Sequence, residues 1–165
     1  MWNESWEYFR PFFVWCNGSM VGTAVRESKW AFAVTETIHM WALAILLGAA
    51  MVLYLRMAGL AMVQQSISQV ARQFGRWTVG GLAVMATSGV LLFMSEAVKC
   101  LESAPFRIKM TILLPAIIFH FTIYHKMRRG EESALFSPAL GKLTAVVAAT
   151  LWLGVGIAGR LISSY

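Results

Sequence analysis

Residues 31–55 read AFAVTETIHMWALAILLGAAMVLYL, with Glu36 as the one formally charged side chain. As a helix this stretch rises ~37 Å at 1.5 Å per residue. The hydrocarbon core of a bilayer is about 30 Å thick and is crossed by ~20 apolar residues. Three further runs of the same kind follow, at Trp77–Val98, Phe106–Tyr124 and Leu143–Ser163. Four spans in a chain of 165 residues leave no room for a soluble domain. The expected fold is therefore all-α: an integral membrane four-helix bundle with an N-terminal interfacial amphipathic helix. Residues 1–29 form an outer interfacial segment and residues 30–165 the bundle. Composition agrees, with 58% hydrophobic and 13% charged residues, against about 25% charged in soluble domains.

In the N-terminal segment Trp2, Trp6, Phe9 and Phe13 recur at helical spacing, with Glu4, Glu7 and Arg10 between them. That pattern suits a helix lying in the membrane interface, apolar face down; the alternative use is a docking surface for a partner subunit. No basic n-region precedes an apolar stretch, so the segment does not read as a secretory signal. Trp30 and Trp77 stand where interfacial aromatic belts are expected, at opposite ends of the bundle. Ser103 with Pro105, and Ser137 with Pro138, mark the starts of the third and fourth helical segments. The connection 57–76 is polar and reads as an inner loop, partly helical. Pro115 should kink the third span and free the Thr111 carbonyl.

The net charge of +6 is explained by topology rather than by nucleic acid. One side carries Arg56, Arg72, Arg76, Lys126, Arg128, Arg129 and Lys142 with only Glu131 and Glu132; the other carries seven basic residues too, with Arg10 far from a span, and six of the eight acids. Basic residues flanking spans favour the cytoplasmic side. The chain is thus expected as a multi-pass protein of a bacterial inner (plasma) membrane with both termini periplasmic. Cys16 and Cys100 then face an oxidising compartment, as a disulfide or as two buried thiols.

Ionisable groups inside spans are costly and mark function. His39 lies about nine residues below Trp30, with Glu36 one turn above it; His120 lies about fourteen residues below Phe106. Neutral imidazole is the commonest metal ligand and holds haem iron. The expected cofactor is haem b, with His39 and His120 as metal ligands and Glu36 orienting His39. Helix rise places His120 ~7–8 Å deeper than His39, so one ligand at His39 or two separate sites are the alternatives. Gly89, Gly154 and Gly156 share the depth of His39 and leave room for helix approach or for a flat macrocycle. Near the outer mouth, Arg26, Arg107, Lys109 and Arg160 can pair with propionates, with the acids, or with lipid phosphates.

Ten methionines raise copper, since thioethers select Cu(I), but they show no MxxM or MxM clustering. The chain has no Asp, no HExxH, no nucleophile elbow and no phosphate loop, which excludes soluble-style hydrolysis.

The strings RESKWAF, GAAMVLYLRMAGL, FRIKM and LWLGVGIAGR, with Glu36, His39, Gly48, Arg56, Lys109, His120, Gly159 and Arg160 between and within them, resemble a family of uncharacterised four-span bacterial membrane proteins. The resemblance runs from about Trp15 to Arg160. More distantly, the plan is similar to the CopD-like copper-resistance proteins and the membrane protoporphyrinogen oxidase. The oxidase resemblance implies haem b held by a first-span His and a third-span Lys, here His39 and Lys109. This chain departs from the oxidases at Leu46, where they have tryptophan, and their activity is not carried over. The functional expectation is a small b-type haem protein, or a redox or anchor subunit of a membrane electron-transfer complex. The partners expected are the bilayer, other membrane subunits or a homo-oligomer, and a periplasmic redox protein. The alternatives are a cofactor-free accessory subunit and a copper-handling protein.

Overall fold

The computed structural model describes residues 6–129 and 138–162, and among these it is all-helical. The order is α1 (Arg10–Asn17), α2 (Met20–Glu27), α3 (Ala31–Met57), α4 (Ile67–Ser95), α5 (Ala97–Glu102), α6 (Ala104–Arg128) and α7 (Pro138–Ile162). Four of them, α3, α4, α6 and α7, are long and apolar enough to cross a membrane. The protein is an integral membrane four-helix bundle with a short amphipathic helix before it. Trp2, Glu4, Glu131, Glu132, Ser137 and Ser163 lie outside the described residues.

Local chemistry sets the helix ends. Ser66 accepts from Gln69 N–H while the Gln69 side chain bonds back to Ser66 N–H, a reciprocal cap that satisfies two orphan donors. It starts α4 at Ile67, ten residues before the apolar run begins, so the connection expected over 57–76 is largely helix. Gly59 ends α3 with φ +75°, and Leu60 N–H reaches back to the Leu55 carbonyl, the left-handed stop that glycine permits. Ser103 accepts from Phe106 N–H ahead of Pro105, as expected. Helix α6 then runs on through Pro115.

Around the bundle each helix packs against two others: α3 against α4 and α7, and α6 against α7 and α4. Helices α3 and α6 thus stand on a diagonal. The α3–α4 contact is the closest, because Gly81 lets the α4 backbone approach Leu46 N and Ala42 O of α3. Helices α1, α2 and α5 cover one end, the capped end, where Phe13, Cys16, Ala97, Cys100 and Leu101 form a small buried cluster. Both cysteines in it are free thiols. Burial pushes the Cys16 thiol up and the Cys100 thiol up to about 11.

The main core lies toward the other end, around Leu46, Leu53, Tyr54, Val70, Met127 and Trp152. The capped half also has buried interior residues, among them His39, Ala42, Ser88, Val155 and Ala158, while Lys109 and Gly159 are half-buried.

Candidate polar site in the capped half of the bundle

His39 projects from α3 against α4. Its imidazole fills the notch left by Gly89, where an added Cβ would stand 3.2 Å from His39 Cε1. His39 Nδ1 and Ser88 Oγ are 2.9 Å apart. Ser88 has one hydroxyl proton, and that proton is directed at the Val84 carbonyl at 2.7 Å. With the Ser88 hydroxyl assigned to Val84, Ser88 Oγ accepts from His39 Nδ1–H. The remaining nitrogen, Nε2, keeps its lone pair. It makes no hydrogen bond and is not sealed off from accessible space.

His120 is held in the opposite way. Trp152 Nε1–H donates to Tyr54 Oη at 3.2 Å, and Tyr54 Oη lies 2.5 Å from His120 Nδ1. Indole can only donate. Letting the Tyr54 hydroxyl donate to Nδ1 leaves one buried group unpaired, whereas the reverse leaves two. The proton on His120 is therefore on Nε2, which is buried and without a partner. Three helices supply this chain of hydrogen bonds, and Tyr124 stacks parallel to the imidazole at 6.3 Å.

The two histidines are not brought together. Tyr54 lies fifteen residues beyond His39 on α3, ~22 Å of helix rise. A tyrosine leaning back toward the helix start recovers only part of this. Two nitrogens on one metal sit about 4 Å apart at most. One iron shared by His39 and His120 does not fit this separation.

Glu36 is half-buried but is not hydrogen-bonded to His39. Ser88 of the neighbouring helix takes the orienting position instead, because the ring turns toward α4 and away from its own helix neighbour. Arg26 is spent on structure: its guanidinium donates to the carbonyls of Asn17 and Ser95, both at 3.0 Å, which ties α2 to the end of α4. Arg107 similarly donates to the Leu101 carbonyl at 3.1 Å. Arg160 is exposed near the end of α7.

Lys109 differs from these cations. It points into the bundle against Gly159 of α7, where an added Cβ would stand 3.5 Å from Nζ. It lies diagonally opposite His39 and within its electrostatic reach. Gly154 and Gly156 are in ordinary contact with Ile112 and Leu47.

Ser88 and the Tyr54–Trp152 pair were not expected from sequence. The available signal was chemical: a polar-tipped aromatic or a hydroxyl deep in a span must find a partner. Two apolar grooves follow the α3–α4 seam; the larger, ≈ 590 Å³, passes Trp41, Trp77, Gly80 and Gly81, and neither is lined by His39 or Lys109.

Fold and site thus define a four-span helical membrane protein with a polar interior near one end. The chain matches a family described as "Family of unknown function (DUF6644)" over residues 12–164, and it belongs to that family. No curated protein and no solved structure matches it.

Proposed function

We propose that this chain is a small redox or anchor subunit of a membrane electron-transfer system that holds haem b in the capped half of its bundle. The observation that carries the reading is the fixed tautomer of His39. A metal-bound histidine donates its other ring N–H to a second group, which fixes the ring and leaves the ligating nitrogen free. Ser88 does this for His39.

The donor set fits a haem held through His39 alone, and it does not fit one held between His39 and His120. His39 would supply the axial nitrogen, and Lys109, with Arg160 at the mouth, would face the propionates. Bound haem would supply one-electron transfer. The chain's own residues orient the imidazole through Ser88, seat it against Gly89 and keep the Lys109 cation within its electrostatic reach.

In this reading the capped end is periplasmic, both termini lie there, and the membrane is a bacterial inner membrane. The collar of Arg72, Arg76, Arg128, Arg129 and Lys142 faces the cytoplasm, on the side that carries only two of the eight acids. Residues 1–29 act as the interfacial segment, with Tyr8, Phe12 and Trp15 exposed for the headgroup region.

The test is the visible spectrum of purified wild-type protein and His39→Ala, oxidised and dithionite-reduced. A Soret band in the wild type that vanishes in the variant supports the reading. Pigment retained in a folded His39→Ala protein removes this site. A colourless, folded wild-type protein that co-purifies with other membrane subunits favours the cofactor-free accessory role, and stoichiometric copper without a porphyrin band favours copper handling.

A further inference from the structure

Lys109 sits on a membrane-spanning helix, five residues after the start of α6. A charged side chain in a span is expected to pair with another chain group or to face a functional cavity. Lys109 has no such pair. The two ion pairs among the described residues are Arg10–Glu7 and Lys99–Glu96. The latter occupies the carboxylate at the end of α4, at 3.2 Å. The groups that act electrostatically on Lys109 are the Cys100 thiol and His39. Glu36, the half-buried carboxylate of α3, is not among them.

The neighbouring glycine is the second observation. Gly159 leaves open the space beside Nζ and Cε of Lys109, at 3.5 and 3.6 Å from where a Cβ would stand. An ammonium on a span, set against a glycine and without a counter-charge among the described residues, is suited to an acidic group brought by a ligand.

We infer that Lys109 is the seat of an acidic group, a carboxylate or a phosphate, carried by an amphiphilic ligand whose apolar body lies between α3, α6 and α7. Two sources share this chemistry: a haem propionate and a phospholipid headgroup. The inference deepens the reading of the capped half as a ligand site, but it stands or falls separately from haem.

The experiment compares wild type, Lys109→Met and Lys109→Arg, each purified, delipidated and shown folded by thermal melting. One arm measures haem retained at purification and on titration with haemin. The other uses native mass spectrometry after exposure to nanodiscs of phosphatidylglycerol. Wild type and Lys109→Arg should retain about one acidic ligand per chain, and Lys109→Met should lose at least ten-fold in occupancy. Loss of phosphatidylglycerol from a colourless protein upholds this inference and removes the haem reading; loss of haem upholds both. Lys109→Met that binds both ligands like wild type, or a wild type that retains neither, overturns it. Gly159→Leu, which fills the space beside Nζ with Lys109 intact, should lower occupancy in the same arm; unchanged occupancy would also overturn the inference.

Discussion

The two halves of this bundle are built from the same four helices but use their polar groups differently. In the half away from the cap, Leu46, Val70, Ala71 and Met127 are fully enclosed, and Trp152 and Tyr54 are 2% exposed. There, Trp152, Tyr54 and His120 are joined in one hydrogen-bonded series, with His120 Nε2 buried and unpartnered. In the capped half two polar groups, His39 Nε2 and Lys109 Nζ, have no hydrogen-bond partner among the described residues. Within a membrane no water is available to satisfy such groups. The Trp152–Tyr54–His120 series lies inside the core, whereas the proposed site rests on His39 Nε2 and Lys109 Nζ. The same residue type takes both roles here: His120 is held as a proton donor and His39 as a lone-pair donor.

Substitutions that strike one half should leave the other intact. The largest effect is expected from Trp152→Ala, which empties the sealed core and strips Tyr54 of its donor. Large-to-small aromatic changes in cores cost about 3–5 kcal/mol, and thermal melting in detergent should show the loss. His39→Ala should barely move that melt while abolishing ligand binding; a melt lowered as far as by Trp152→Ala would erase the contrast between the halves.

Next come the glycines. A Cβ at Gly75 collides with the Tyr124 ring, so Gly75→Ala forces the inner core to shift and should lower the melting temperature. Gly48 has open space around it. Gly48→Ala should be neutral or stabilising, since glycine inside a helix is disfavoured by roughly 0.5–1 kcal/mol against alanine. Equal destabilisation by the two would show that the close contact of Gly75 with Tyr124 is misplaced.

The smallest effect concerns the cap. With its thiol pushed up to about 11, Cys100 is almost wholly protonated at pH 8, and its thiolate fraction grows only as pH climbs toward that value. Maleimide labelling of folded protein should be slow at pH 8 and rise steadily above pH 9. Fast labelling at pH 8 would mean that the cap opens readily.

Most of the fold was legible in the sequence because four apolar runs admit only one arrangement in a short chain. The start of α4 was hidden, since residues 67–76 are polar; the Ser66–Gln69 spacing carried the signal instead. The candidate site was legible in its residues and not in its pairings. Glu36 was read as the partner of His39 because only neighbours on one helix can be seen in a sequence, whereas Ser88, forty-nine residues away, comes to His39 through the α3–α4 contact. The depth of His120 was set from the apparent ends of the spans, and α6 begins two residues earlier and runs four further than its apolar run suggested. That shift contributes to placing the imidazole beside Tyr54 instead of near His39. Lys109 was expected at the mouth with the other cations, and the structure separates it from Arg26 and Arg107, which bind backbone carbonyls.

The most direct test of the central claim is the reduced-minus-oxidised visible spectrum of the detergent-purified wild-type protein, with metal analysis of the same sample. The account predicts a Soret band and sharp reduced α and β bands, at about one haem per chain, lost in His39→Ala and kept in His120→Gln. A spectrum that depends on His120 and is indifferent to His39 would contradict it.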